Sequence, residues 1–143
     1  MSAHRSQLFA AALLSSAFAF GAPSEAARRG IAFAQAPEQS VGYCTGVNAV
    51  NTLNCARAKC AAGGAPASQC LRQAWCYPGG WSADIFVQIN EGPHFHDFVC
   101  GMQTRAQAEA AVKVKCDKAF QPNQIECKAV RFFDEAGTEF PVP

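Results

Sequence analysis

Apolar and polar side chains alternate along residues 81–89. The odd-numbered positions of this segment are all apolar, whereas most even-numbered positions, among them Asp84, are polar. In an extended chain, alternation of this kind places the two sets on opposite faces. Segments rich in glycine, proline and asparagine flank it on both sides and favour turns. The pattern predicts a strand with one apolar and one solvated face.

Two further segments have the spacing of amphipathic helices. Asn48 is placed to cap a helix that runs to about Ala62, where glycines and a proline follow. Thr104 is placed to cap a second helix that runs to Phe120, and Gln107 completes a capping box. The residues predicted on the apolar faces are Ala49, Leu53, Ala56 and Cys60 in the first helix and Ala108, Val112, Cys116, Ala119 and Phe120 in the second.

The spacing of the cysteines repeats along the chain. The two matching sets are Cys44, Cys60 and Cys70, followed by Cys100, Cys116 and Cys127. In each set the first two cysteines are 16 positions apart and the last two are 10 or 11 apart, and VGYCTGVN aligns with DFVCGMQT. We therefore predict two strand–helix–strand repeats, at about 40–76 and about 94–133, with 81–89 as a connecting strand. The expected fold is α+β, with both helices on one face of a mainly antiparallel sheet.

The eight cysteines predict a framework of disulfides, because their number is even and they follow an N-terminal segment with the pattern of an export signal, residues 1–34. Zinc ligation is the competing interpretation, but the spacings do not form two ligand pairs of the usual type. Matching positions in the repeats predict the bridges Cys60–Cys70 and Cys116–Cys127. For the other four cysteines we expect Cys55–Cys76 and Cys44–Cys100. Cys55 and Cys60 lie about 140° apart around a helix, so they cannot both face one strand squarely.

The N-terminal segment has the composition of a secretory signal peptide. A short basic region is followed by an uncharged apolar run over residues 8–22, too short to span a membrane comfortably. We predict a signal peptide over 1–34 with cleavage after Ala34, and a mature domain over 35–143. Cleavage after Ala26 is the alternative. Arg28 and Arg29 resist translocation, so a retained anchor is a further alternative.

Charge and hydropathy limit the partners of the mature chain. Residues 1–34 contain three arginines and one glutamate, so their removal changes the formal charge from +1 to −1. A nearly neutral protein has no electrostatic attraction for nucleic acid. No later segment is apolar enough to span a membrane. We expect a secreted or periplasmic monomer whose ligand is a protein or a carbohydrate.

The segment His94-Phe95-His96-Asp97 is the first candidate site. His94 and His96 are two positions apart and project from one face of a strand, where they could bind a metal if Glu91 or Asp84 supplied a third ligand. The competing interpretation is a pair of solvent-facing histidines, which we favour, so we expect no metal and no cofactor. A triad of Ser82, His96 and Asp97 or Asp84 is conceivable, but no nucleophile signature supports it.

A second candidate is the aromatic turn formed by Trp75, Tyr77 and Trp81. Aromatic rings on a rigid turn stack on sugars or pack against a protein partner. The alternative is that both tryptophans belong to the core at strand ends.

Residues 98–133 resemble a family of small secreted bacterial proteins, domain of unknown function 4189. The resemblance rests on Cys100-Gly101, the helix that begins at Thr104, Cys116, and Cys127 at the start of an aromatic strand. It extends more weakly over 43–76, and it implies repeated strand–helix–strand units and export. This chain lacks that family's glycine- and aromatic-rich strands before each helix, and Cys55 and Cys76 are extra. No activity is established for the family, so none is implied.

The features above favour a non-enzymatic binding or structural module. The alternative is a small secreted hydrolase that uses the His94-His96-Asp97 region.

Overall fold

The computed structural model describes residues 28–142, and residues 1–27, which belong to the predicted signal peptide over 1–34, lie outside the described residues. The elements are β1 Gly30–Ala36, β2 Ser40–Gly46, α1 Ala49–Ala62, β3 Leu71–Cys76, β4 Trp81–Ile89, β5 His94–Met102, α2 Arg105–Lys115, β6 Gln124–Phe133 and β7 Glu139–Phe140. They form two antiparallel sheets with the strand orders β2-β1-β3 and β5-β4-β6-β7.

Each sheet contains one β-β-α-β unit, and β7 extends the second sheet; we call the two units the first and second repeat because they share the same strand order. In both repeats the first strand lies in the middle of its sheet, between the second strand and the strand that follows the helix. Helix α1 packs on the sheet of the first repeat, and α2 packs on the sheet of the second. The strand at 81–89 is thus the first strand of the second repeat, not a connection between repeats.

The two sheets face each other, so the molecule has four layers in the order helix, sheet, sheet, helix. Ile31 and Phe33 of β1 pack against Phe98 and Phe133 of the other sheet. Ala32, Ala34 and Ala36 lie on the opposite face of β1 and pack against α1. The α+β class, the antiparallel sheets and the disulfides are confirmed. The expectation that both helices share one sheet is corrected, because each helix covers the outer face of its own sheet.

Strand β1 changes the predicted domain boundary. The proposed cleavage after Ala34 falls inside this strand, whose residues Ile31 to Ala34 are fully buried. Cleavage there would remove all but the last two residues of the central strand of the first sheet. Ala32-Phe33-Ala34 has the small-x-small spacing of a cleavage site, and a strand buried on both faces is apolar throughout, so no alternation marks this segment as a strand. The folded domain therefore begins at or before Gly30.

Both helices begin where the sequence predicts. The Asn51 N–H donates to Oδ1 of Asn48 at 3.0 Å, and the Gln107 N–H donates to Oγ1 of Thr104 at 3.2 Å. Helix α1 runs to Ala62 as expected, but α2 stops at Lys115, about one and a half turns before its predicted end at Phe120. Phe120, expected on the buried face, is 71% exposed.

The chain turns away after Lys115 because local hydrogen bonds replace the helical ones. The Gln124 side-chain amide donates to the Cys116 carbonyl at 2.5 Å, and the Asp117 carboxylate accepts from the Ala119 N–H at 2.8 Å. Side-chain acceptors of this kind compete with the helical backbone pattern.

The structure confirms the two local bridges, Cys60–Cys70 and Cys116–Cys127, and corrects the other two. The observed pairs are Cys44–Cys55 and Cys76–Cys100. The first joins β2 to α1 within one repeat, and the second joins β3 to β5 between the repeats. Four disulfides are typical of a protein of the extracellular type.

A β-bulge explains why Cys44 and Cys100, which match in sequence, bond to different partners. Cys44 lies opposite Ala32 on the helix-facing side of its sheet. Between β4 and β5, Trp81 pairs with Met102 but Ala83 pairs with Val99. Cys100 and Gly101 of β5 together therefore face the single residue Ser82 of β4. One extra residue reverses the side on which the following residues lie. Cys100 lies two positions after Phe98, so both face the space between the sheets, where Cys76 lies, and the extra residue reverses Met102 to the helix-facing side. Cys44 and Cys100 therefore match when they are counted back from the helices but point in opposite directions.

Candidate functional site

A carboxylate is buried between the two sheets. Asp84 lies on the middle strand β4 and is 1% exposed. Because Ala83 and Ile85 on either side of it pack toward α2, its side chain points toward the other sheet. The equivalent position on the middle strand of the first repeat holds Phe33, which fills the same inter-sheet space with a ring.

Both carboxylate oxygens of Asp84 accept hydrogen bonds from neighbouring strands. Oδ1 is bonded to Nδ1 of His96 on β5, and Oδ2 accepts from Nε of Arg131 on β6 at 3.0 Å. An ionised carboxylate only accepts hydrogen bonds, so the bonded Nδ1 carries the proton. In the neutral ring the opposite nitrogen, Nε2, is then an acceptor and is the one free to meet a ligand.

The first repeat holds His96 in place through Gln35. The Gln35 side chain donates to the His96 carbonyl at 2.5 Å, and its Oε1 accepts from the His96 N–H at 2.8 Å. Gln35 is buried, and this two-point contact joins β1 to β5 across the two repeats. The position of the imidazole therefore depends on the packing of one sheet against the other.

Arg131 continues the polar cluster toward the edge of the sheet. Its Nη1 lies 3.7 Å from Oε2 of Glu139 on β7, and the Tyr43 hydroxyl donates to the same oxygen at 3.4 Å. Burial raises the pKa of Tyr43, and the nearby charge of Glu139 raises it further. This chain of contacts links β2 of the first repeat with β6 and β7 of the second.

The cluster opens on a small pocket between the β1–β2 turn and the inner face of the second sheet. The pocket has a volume of about 240 Å³. Its polar lining comes from Glu38 and Ser40 on one side and from His94, His96 and Arg131 on the other. Asp84 is bonded to His96 and Arg131 of this second group.

The predicted segment 94–97 is only partly brought together. The His94 ring packs on Phe86 with centroids 5.3 Å apart, beside His96. Asp97 lies on the opposite face, where Oδ2 meets Nζ of Lys115 at 2.7 Å. Within residues 28–142, no group of three metal-ligating side chains is close enough to hold a metal ion.

The serine hydroxyls near this region are bonded to backbone carbonyls. Ser82 is buried and donates to the Gly79 carbonyl at 3.1 Å, away from His96. Ser40 lines the pocket but donates to the Cys60 carbonyl at 2.6 Å. The described part of the chain therefore contains no serine hydrogen-bonded to His96.

The aromatic turn is divided between the two repeats. Trp75 stacks with Tyr77 at a centroid distance of 6.2 Å and packs on the apolar core under α1. Trp81 packs on the core under α2 and lies 5.2 Å from Phe140. Tyr77 is the exposed ring of the three, at 48%. A shallow depression of about 600 Å³ adjoins Trp81. The structure thus does not gather the rings on one surface.

Sequence reasoning missed Gln35 and Arg131 as members of the site. It placed Gln35 at the start of the mature chain and treated Arg131 as part of an ordinary strand. Asp84 was considered as a possible third metal ligand and as an alternative to Asp97 in a triad with Ser82 and His96, but not as a buried carboxylate shared with Arg131. The one sequence signal for this site was Asp84, a charged residue between two apolar neighbours on a strand. The same pattern is expected of a strand whose polar face meets solvent.

Comparison with family models, with curated proteins and with solved structures finds no match to this chain. Within residues 28–142, no helix is long and apolar enough to cross a membrane.

Proposed function

We propose that this protein is a non-enzymatic binding module, secreted or periplasmic, whose ligand site is the pocket between the repeats. One observation supports this most directly: a buried carboxylate, Asp84, orients His96 and Arg131 on one wall of a pocket. Pockets that combine a few convergent polar groups with a fixed geometry are the usual sites of ligand recognition.

Stability alone does not require this cluster. Replacing a buried ion pair with apolar residues of similar volume is often neutral or stabilising. The first repeat has that arrangement, because Phe33 occupies the position equivalent to Asp84. A polar cluster at the second position is therefore better explained by ligand binding than by folding.

Export and the monomeric state belong to the same proposal. The four disulfides support export, and a signal peptide that ends after Ala26 would leave β1 intact. The resemblance to domain of unknown function 4189 stays a prediction, and so does a protein or carbohydrate ligand.

A ligand screen with matched variants tests the site. The oxidised domain is labelled with ¹⁵N and screened against peptides, sugars and small polar compounds. We expect shifts at residues 35–41 and 94–96 that His96→Asn abolishes, because asparagine keeps a donor for Asp84 but lacks the outer nitrogen. Asp97→Asn, on the opposite face, is the control and should bind normally. Ligand shifts confined to the Trp75–Tyr77 turn, or binding that survives His96→Asn, would contradict the proposal.

A hydrolase is the second candidate, and the Asp84–His96 pair is the observation that favours it. A buried carboxylate bonded to Nδ1 orients an imidazole as a general base. The enzyme would need water as its nucleophile, because Ser40 and Ser82 donate to backbone carbonyls. We expect no turnover of peptide, ester or peptidoglycan substrates. Turnover that His96→Asn removes and Asp97→Asn keeps would establish the hydrolase instead.

A further inference from the structure

We propose that the pocket between the repeats binds a small oxyanionic group, a carboxylate or a phosphate, and that His96 takes up a proton when the anion binds. This inference rests on the proposed function and names its ligand. It follows from the way in which one carboxylate, Asp84, is shared between two basic side chains.

The first step concerns charge. Arg131 is always protonated, so its charge already balances that of Asp84. A proton on His96 adds one positive charge that no further buried carboxylate in the described residues balances. Glu139 is 49% exposed and 3.7 Å from Arg131, where solvent screens its charge. An oxyanion in the pocket supplies the missing negative charge next to both cations.

The second step concerns the proton. Because Nδ1 of His96 is bonded to Asp84, Nε2 of the neutral ring is an acceptor. The oxygens of a carboxylate and the unprotonated oxygens of a phosphate are acceptors only, so such an oxygen placed against Nε2 repels it until Nε2 gains a proton from solvent. Once protonated, Nε2 donates a charge-assisted hydrogen bond to the anion while Nδ1 still donates to Asp84. Binding and proton uptake are thus coupled through one ring.

The remaining charged and titratable groups around the pocket set its selectivity. His94 lies beside His96 on β5, Tyr43 and Glu139 are reached through Arg131, and Glu38 stands at the rim on the β1–β2 turn. Glu38 repels an anion, so Glu38→Gln should strengthen binding. A volume of about 240 Å³ admits a small group and leaves the rest of a larger ligand outside.

The test uses acetate, inorganic phosphate and acetamide as probes of the oxidised domain. Acetamide has the shape of acetate without its charge. At constant pH near neutrality, two-bond ¹H–¹⁵N spectra report the protonation of each imidazole nitrogen. We expect acetate or phosphate to move the His96 Nε2 signal to its protonated position, and acetamide to leave it unchanged. Response to acetate alone identifies carboxylates, response to phosphate alone identifies phosphates, and response to both identifies oxyanions generally.

Variants assign the effect to these residues. His96→Asn should weaken anion binding about tenfold or more, the effect typical of one charge-assisted hydrogen bond. Asp97→Asn, on the opposite face of β5, should keep the proton uptake. Glu38→Gln is expected to gain affinity. Intact disulfides and an unchanged amide spectrum outside the pocket show that each variant is folded.

Three results would overturn the inference. They are the absence of any response to either anion at millimolar concentration, equal binding of acetamide and acetate, and binding of an anion without a change at Nε2. If the ligand screen finds an uncharged compound in the same pocket, the proposed binding function stands and only its anionic ligand is wrong.

Discussion

Replacing Cys76 and Cys100 with alanine removes the bridge between the repeats and measures its contribution to stability. The bridge spans 24 positions, and loop-closure entropy gives about 3.5 kcal/mol for a loop of that length. The same relation gives about 2.8 kcal/mol for Cys44–Cys55, which spans 11 positions. A domain of this size has a total stability of about 5–15 kcal/mol. The Cys76/Cys100 double alanine variant and the matching Cys44/Cys55 variant should therefore both fold, with lower unfolding midpoints in urea than the unmodified protein.

Free-thiol counts identify the pairing independently of stability. Removing Cys76 and Cys100 should leave no free thiol, whereas removing Cys44 and Cys100 should leave two, at Cys55 and Cys76. The pairing Cys44–Cys100 with Cys55–Cys76 gives the reverse result.

Tryptic digestion without reduction provides a second assay. Peptides 30–57, 60–72 and 73–105 each contain both cysteines of one observed bridge, so they should appear singly, two hydrogens lighter than when reduced. Peptide 30–57 linked to peptide 73–105 would refute the assignment. So would a loss of stability well below 1 kcal/mol in the Cys76/Cys100 variant, because the bridge would then not restrain the unfolded chain.

Three further predictions concern single elements. A chain that lacks residues 1–34 should fail to fold because most of β1 is missing, whereas one that begins at residue 27 should fold, and circular dichroism compares the two. N-terminal sequencing of exported protein should find a start before Gly30. Trp81→Ala should lower the free energy of unfolding by about 2 kcal/mol or more, because the ring packs under α2; an unchanged urea midpoint would show that Trp81 is a surface residue. In Tyr77→Phe, Tyr43 is the sole tyrosine, and burial raises its pKa above the ordinary value of about 10, so its ultraviolet titration should come later than that of a free tyrosine. The stability that the neutral hydroxyl contributes is present below about pH 10 and is lost as the pH rises through the raised pKa.

Elements that depend on neighbours along the chain were predictable from the sequence. The caps Asn48 and Thr104 bond to backbone groups three residues away, and the two confirmed bridges close loops of 10 and 11 positions. The strand at 81–89 was visible from its alternation. In each case the information lies within a few residues, where backbone geometry restricts the arrangement.

The sheets themselves were only partly predictable. Strand β1 is apolar throughout because α1 covers one of its faces and the second sheet covers the other. Because this segment lacks alternation and contains the small-x-small sequence Ala32-Phe33-Ala34, the sequence does not distinguish it from a signal-peptide cleavage region. Its position at the centre of the first sheet therefore became apparent only from its pairing with β2 and β3.

The candidate site depended most on tertiary structure. Alternation along β4 shows that Asp84 and Ile85 lie on opposite faces, but it does not show whether solvent or a second sheet covers the polar face. Gln35, His96 and Arg131 come from three different strands and meet at Asp84 only when the repeats pack together.

The sequence by itself determined the two helices, most of the strands, the two local bridges and the repeat of the cysteines. Tertiary structure alone decided the layer order, the pairing of Cys76 with Cys100 and the polar cluster around Asp84. The physical reason is that one inserted residue in β5 gives Cys100 the opposite direction to Cys44, and that alternation along a strand does not show whether solvent or a second sheet covers a face. Both effects act between segments that are distant in the chain, so no local pattern contains them.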